Sequence, residues 1–197
     1  MWTLANIITL SRIAMIVPFV YFIEEGTFGW ALAVFFAASV SDFLDGYAAR
    51  RLNQYSAIGR LLDPLADKLL TTAGYIALAL PRPGFPSIPI WLAALVVGRD
   101  LVILLGSLIV FLKIGRREFK PSFLGKLNTF LELGLIVWFL ALNSTGYLLE
   151  VIPYLYWPVA VSVVVSGASY LAAGVRMLRI EQAGEQASNE AAKRTME

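Results

Sequence analysis

The sequence predicts an all-α integral membrane protein of six transmembrane helices with both termini in the cytoplasm, and three observations carry that prediction. Hydrophobic residues make up 58% of the 197 positions and charged residues only 15%, with a mean hydropathy of +0.71, which is too apolar for an ordinary soluble domain. The apolar residues fall into six segments, each close to the roughly 20 residues that a helix needs to cross a bilayer. Lysines and arginines gather in alternate connections, the bias that orients membrane helices.

In chain order the segments run over 4–23, 28–48, 58–80, 88–112, 123–142 and 151–171. The first is long, lacks a small-residue cleavage site and contains Asn6 and Arg12, so it is expected to stay attached rather than be removed as a leader. Glu24-Glu25-Gly26, Pro81-Arg82-Pro83-Gly84, the basic stretch 113–120 and the stretch from Asn143 to Gly146 punctuate the segments as turn and loop signals do. The membrane domain is expected over 1–180. The tail 181–197 is polar, alanine-rich and charged with both signs, which reads as a frayed helix or disorder. No tandem repeat is visible.

The second connection carries Arg50, Arg51 and Arg60, the fourth Lys113, Arg116, Arg117, Lys120 and Lys126, and the stretch after the sixth segment Arg176 and Arg179. The opposite side has Arg82 alone, with Glu24, Glu25 and Glu150. The expected location is therefore a cell membrane, as a multi-pass protein of the prokaryotic inner membrane, with no nucleic-acid partner and a second copy of the chain as a candidate partner.

Cysteine and histidine are both absent, which removes disulfides, thiol chemistry, imidazole bases and the usual zinc ligands. Catalysis would have to use carboxylates. Asp42, Asp45, Asp63 and Asp67 stand inside this apolar chain, three and four residues apart within each pair, so on helices each pair shares one face. An aspartate facing lipid costs about 2.5–3.5 kcal/mol and four cost on the order of 10 kcal/mol. They must face a polar site, a mouth of water or a metal. Two carboxylates about 4 Å apart repel by about 4 kcal/mol at an effective dielectric of 20, and an all-oxygen donor set calls for Mg²⁺ or Mn²⁺, with room for two ions. Gly46, Ala49 and Gly59 lie between the aspartates and clear space for a bulky ligand, while Arg50, about one turn from Asp45, is placed to hold a phosphate oxygen. A structural ion pair and close helix packing would explain one such aspartate or glycine; they do not explain the whole pattern.

That pattern, Asp42-x-x-Asp45-Gly46-x-x-Ala49-Arg50, then eight residues, then Gly59-x-x-x-Asp63-x-x-x-Asp67, matches the signature of the CDP-alcohol phosphatidyltransferases at every defined position. The chain resembles that family over most of its length, six helices with the signature on the second and third. The resemblance implies that Asp42, Asp45, Asp63 and Asp67 bind two divalent ions and that Asp67 is also the general base. It further implies that Gly46, Arg50 and Ser56, with the Asn6-Ile7-Ile8-Thr9 stretch, hold the CDP part of CDP-diacylglycerol, beside the small signature positions Ala49 and Gly59. Physically, an alcohol would give its proton to a carboxylate and displace CMP from the donor in line.

For the acceptor, Gly98-Arg99-Asp100 and Pro121-Ser122-x-x-Gly125-Lys126-x-Asn128-Thr129 form a second polar region. Arg99 and Lys126 are the candidate contacts for the acceptor's phosphate, against the alternatives of an internal Arg99–Asp100 ion pair and a Lys126 that reaches lipid headgroups. Within the family this region is more similar to the CMP-forming cardiolipin synthases, which use phosphatidylglycerol; members that use glycerol 3-phosphate more often show Arg-Glu there and a lysine at position 128. Glu132 suits an acceptor-hydroxyl contact or a hydrogen bond to a neighbouring helix equally. Outside this class, buried acids on six helices would also suit an ion or proton carrier, which needs access from both faces, or a lipid-binding scaffold, which would not need Asp67.

Overall fold

In a computed structural model of the chain the backbone is described for residues 4–52, 59–114, 123–147 and 149–194, and side chains for residue 11 and for 13–41, 68–110, 123–147, 149–177 and 179. The described backbone forms six α-helices: α1 (Leu4–Glu24), α2 (Phe28–Leu52), α3 (Gly59–Ala79), α4 (Ile90–Ile114), α5 (Phe123–Thr145) and α6 (Ile152–Arg194), the last entered through a single 3-10 turn at Leu149–Val151. The starts agree with the apolar segments to within two residues. The far ends of α2 and α6 do not.

α2 continues to Leu52, so Arg50 and Arg51, expected in the connection after it, are helical like the aspartates before them. α6 continues without a break through position 180 to Arg194, 43 residues in all, so of the two expectations for the tail, a frayed helix or disorder, the described backbone is a helix. Alanine, glutamate, glutamine, lysine and arginine dominate 181–194, and these are strong helix formers whether or not they are buried. Low hydrophobicity removes a segment from a core, but it does not remove its backbone preference.

Among the described residues three stretches are long and apolar enough to cross a membrane, Ile90–Val110, Phe123–Thr145 and Leu149–Met177; Ile13–Glu24 and Phe28–Ser41 are shorter apolar stretches of α1 and α2. α1 packs against α2 and α3, and α6 against α4 and α5; α2 and α3 touching α5, and α3 touching α4, join the two groups. Phe28, Ala31, Phe35 and Ala38 bury one stripe of α2 at helical spacing. Phe35 meets Phe19 of α1 with ring centroids 5.4 Å apart, and Phe28 meets Phe139 of α5 edge to face at 6.3 Å. Tyr75 and Leu78 of α3, Leu92 and Val96 of α4, and Val159 and Val163 of α6 complete the same core. The outward faces are apolar as well, with Val17, Trp30, Leu104, Leu105, Leu108, Trp138 and Val161 all exposed. Helices that are apolar all round suit a hydrocarbon surrounding.

At the end of the bundle formed by the α1–α2, α3–α4 and α5–α6 connections, the polar backbone is closed by one side chain. The Arg82 guanidinium donates through Nη1 to the Ile23 carbonyl and through Nη2 to the Ala77 carbonyl at 3.0 Å, so it serves the last turns of both α1 and α3, where carbonyls have no helical partner. Burial pushes its pKa down and the charge of Glu24 opposes that shift; an arginine this far above neutrality stays charged. The lone cation on this side is thus a cap. Beside it the chain turns at Gly26, whose φ is +69° and where an added Cβ would stand 2.0 Å from Phe85 Cε1. Gly84 has φ +80° with nothing within 4 Å of such a Cβ.

The two glycines therefore separate backbone strain from crowding. Left-handed backbone costs a non-glycine residue on the order of 1–3 kcal/mol, and Gly84→Ala is expected to lose about that. Gly26→Ala must also displace the Phe85 ring, so its thermal unfolding in detergent should fall further than that of Gly84→Ala. Equal losses would mean that Phe85 gives way freely.

Candidate active site

Phe35 of α2 meets Phe19 of α1 and Trp30 meets Phe22, so α2 runs antiparallel to α1, while Gly74 of α3 lies at Phe19 and Arg82 at Ile23, so α3 runs parallel to it; the start of α1, the end of α2 and the start of α3 therefore share one end of the bundle. Asp42 and Asp45 stand in the second half of α2, and Asp63 and Asp67 in the first turns of α3. Both segments are helical, as the pairing of carboxylates one turn apart requires, and both helices pack on α1 and α5. Asn6 and Thr9 lie in the first turns of α1, Gly46, Ala49 and Arg50 in the last turns of α2, and Gly59 opens α3. The side chains at all of these positions, and Ser56 altogether, lie outside the described residues. As a donor set, four carboxylates with no imidazole or thiolate in the chain fit a hard divalent cation. Among the described residues no three acids come together as a metal site. The described intramembrane acids, Asp100 and Glu132, do something else.

They hold a polar network that spans four helices. Lys68 of α3, the residue after Asp67, places its Nζ 2.8 Å from Asp100 Oδ1 on α4 and 3.8 Å from Glu132 Oε2 on α5. Asp100 Oδ1 also accepts from Arg99 Nη1 at 2.8 Å, and Arg99 Nη2 donates to Ser166 Oγ of α6 at 2.6 Å. The Arg99 guanidinium lies 5.6 Å from the centre of the Tyr170 ring, a cation–π contact. On the α5 side, Asn128 Nδ2 donates to Glu132 Oε1 at 2.7 Å, Ser162 Oγ donates to Asn128 Oδ1 at 2.9 Å, and the Tyr75 hydroxyl donates to the Glu132 carbonyl at 3.1 Å. Two cations, Lys68 and Arg99, meet two carboxylates, Asp100 and Glu132.

Burial divides these groups. Glu132 and Asn128 are fully buried, the Arg99 and Asp100 side chains are 7% and 10% exposed, and that of Lys68 is 40% exposed. Arg99 Nε, Asp100 Oδ2 and Glu132 Oε2 are buried without a hydrogen-bond partner among the described residues. A buried polar atom left unpaired costs about 1–3 kcal/mol, and three of them in one cluster mark a place where stability is traded for something else. Next to the network, an apolar cavity of about 190 Å³ opens between α4 and α6, with Tyr170 in its wall beside Val102, Gly106 and Gly174.

Of the residues singled out for the acceptor, Arg99 is brought into the network and Lys126 is not: it is exposed in the first turns of α5. The Arg99–Asp100 ion pair exists, but as one edge of a larger cluster. Glu132 takes its hydrogen bond from Asn128 of its own helix and faces Lys68 of a neighbouring one. Sequence reasoning passed over Lys68, Ser162 and Ser166. A lysine nine residues inside an apolar helix was a signal in its own right, and the two serines, one helical turn apart on α6, mark a polar stripe in an otherwise valine-rich run.

The CDP-alcohol phosphatidyltransferase family profile matches residues 2–177. The CMP-forming cardiolipin synthase of Rattus norvegicus is 31% identical over 172 residues, which are 79% of this chain and 56% of that protein. The CMP-forming cardiolipin synthase of Streptomyces coelicolor is 37% identical over 138 residues, 65% of this chain and 60% of the relative. The CDP-diacylglycerol--glycerol-3-phosphate 3-phosphatidyltransferase of Bacillus subtilis is 32% identical over 189 residues, 86% of this chain and 94% of the relative. The chain thus spans a little over half the length of the first two and nearly all of the third. The profile leaves out little beyond the polar end of α6, and on that match the chain belongs to the CDP-alcohol phosphatidyltransferase family.

Proposed function

We propose that this protein is an enzyme of phospholipid synthesis that transfers the phosphatidyl group of CDP-diacylglycerol to phosphatidylglycerol, forming cardiolipin and releasing CMP. The observation that carries the choice of acceptor is the make-up of the polar network: among the described residues Lys68 and Arg99 stand beside Asp100 and Glu132, which leaves no surplus of cations within that network for a group with nearly two negative charges. A phosphodiester with a single charge suits such a site better. Likeness to the two cardiolipin synthases supports the same choice. The second reading, a glycerol 3-phosphate acceptor giving phosphatidylglycerophosphate, is favoured by the near-complete coverage of the Bacillus relative.

In this reading all six helices span the membrane, a prokaryotic cell membrane, with both termini in the cytoplasm. The apolar stretches of α1 and α2 support it, as does Arg82, whose capping role explains a cation on the outer side. A carrier would need access from that outer end as well, where Arg82 ties the last turns of α1 and α3 together.

Asp42, Asp45, Asp63 and Asp67 would hold two divalent ions, Mg²⁺ or Mn²⁺, whose charge offsets that of the pyrophosphate and of the departing CMP. Gly46, Ala49 and Gly59 leave room for the nucleotide, and Arg50, Ser56, Asn6 and Thr9 bind it. Asp67 takes the proton of the acceptor hydroxyl as that oxygen bonds to the phosphorus bearing diacylglycerol. The phosphorus–oxygen bond to CMP breaks, and no covalent enzyme intermediate forms.

Three outcomes follow for purified protein in detergent. Excess EDTA should abolish CMP release and Mn²⁺ or Mg²⁺ restore it, whereas full turnover in EDTA would sink the metal assignment. Asp67→Asn should lower kcat by about a hundredfold or more, the usual worth of a general base, with a smaller change in the KM for CDP-diacylglycerol; turnover within a fewfold of the parent would remove Asp67 from that role. With Mn²⁺ and each acceptor supplied alone, cardiolipin should form from phosphatidylglycerol. Phosphatidylglycerophosphate from glycerol 3-phosphate, with no cardiolipin, would overturn the choice of acceptor.

A further inference from the structure

We propose that Lys68 is the cation that binds the acceptor's phosphodiester, an inference that rests on the phosphatidyl-transfer reading above and gives its acceptor subsite a residue outside the signature. Among the described residues three cations are candidates for that contact, and their surroundings differ. Arg99 is 7% exposed, spends Nη1 on Asp100 and Nη2 on Ser166, and lies over Tyr170; it is a structural member of the network. Lys126 is exposed in the first turns of α5, six residues from Glu132 and so about 9 Å along the helix toward the cytoplasmic end. Lys68 alone is both held and open: Asp100 Oδ1 lies 2.8 Å from its Nζ and Glu132 Oε2 3.8 Å away, yet 40% of the side chain is exposed.

An ammonium has three N–H donors. Asp100 takes one, Glu132 lies beyond hydrogen-bonding distance, and neither carboxylate closes the exposed side. The two acids therefore fix the direction of a lysine that would otherwise sample many rotamers, which lowers the entropy lost when it grips a ligand. They also leave its site electrically neutral, so it accepts a monoanion without strongly attracting a more highly charged competitor. Position in the chain adds the second argument. Lys68 follows Asp67, with Cα atoms about 3.8 Å apart across the peptide, so the phosphate contact and the proposed proton acceptor are consecutive residues of one rigid helix. In phosphatidylglycerol the reactive hydroxyl and the phosphodiester are likewise carried by a single three-carbon glycerol. One helix segment would thus set the distance between the two ends of the acceptor headgroup.

Lys68→Met, Lys68→Arg and the double variant Lys68→Met/Glu132→Gln test this, compared with the parent in detergent with CDP-diacylglycerol, Mn²⁺ and phosphatidylglycerol. Loss of a charged hydrogen bond corresponds to about a tenfold to hundredfold rise in acceptor KM for Lys68→Met, with the KM for CDP-diacylglycerol within about threefold of the parent. Lys68→Arg keeps the charge and should recover most of the acceptor KM. Lys68→Met also strands the buried Glu132 carboxylate; the double variant removes that charge, so its melting temperature should return toward the parent while the acceptor KM stays raised. If the double variant regains the parental acceptor KM along with its melting temperature, or if donor KM rises in step with acceptor KM, Lys68 is not the phosphate contact. These results leave the transfer reading in place, whereas a parent protein that turns over neither phosphatidylglycerol nor glycerol 3-phosphate would overturn both.

Discussion

One carboxylate oxygen, Asp100 Oδ1, is shared between the Lys68 ammonium and the Arg99 guanidinium at 2.8 Å each, and the arrangement of the second half of the molecule depends on it. In hydrocarbon, apolar side chains have no preference for one another over lipid, so helix packing has to be specified by close fit and by polar contacts. α3 and α4 meet at this oxygen. Arg99 carries the link on to Ser166 of α6, and Glu132 with Asn128 and Ser162 ties α5 to the same helix. A lysine or aspartate facing lipid at mid-helix costs about 2.5–3.5 kcal/mol; the same groups facing one another orient four helices.

The first half is organised by shape. α1 and α2 interlock through Phe19 and Phe35, α2 meets α5 through Phe28 and Phe139, and α3 approaches α1 and α5 closely because Gly74 has no side chain: a Cβ there would stand 3.1 Å from Phe19 Cε1 and 3.3 Å from Ile136 Cδ1. At the far end Arg82 ties the last turns of α1 and α3 together. Polar residues gather toward the opposite end, where α2 finishes and α3 begins.

Much of this was legible in the sequence, for reasons that particular residues make plain. The helices were, because apolar runs near the length of a bilayer crossing leave the backbone few other choices. The carboxylate signature was, because a fixed spacing of charged residues in an apolar chain has few explanations besides a site. The continuation of α6 to Arg194 was not: 181–194 contains no apolar period, and only its alanine and glutamate content argued for a helix. The role of Arg82 was not, because it joins carbonyls 59 and 5 residues away and backbone acceptors leave no mark in a sequence. Lys68 was hidden differently. It stands beside Asp67, and a pattern defined by its aspartates draws the eye past the residue that follows.

The signature and the network are continuous through that residue, and this bears on how one fold can serve several acceptors. On the proposed reading the signature aspartates would serve the part of the donor that does not vary, a nucleotide pyrophosphate. On the same proposal, acceptor recognition would come from groups outside the signature, Lys68 of α3 among them, set against Asp100 of α4 and Glu132 of α5. Because Lys68 belongs to α3 by its backbone and to the network by its charge, a substitution at position 99, 100, 128 or 132 changes the surroundings of Lys68 without moving Asp67. On the proposed reading, the charge presented to the acceptor could therefore be altered while the carboxylates assigned to the donor keep their helix positions.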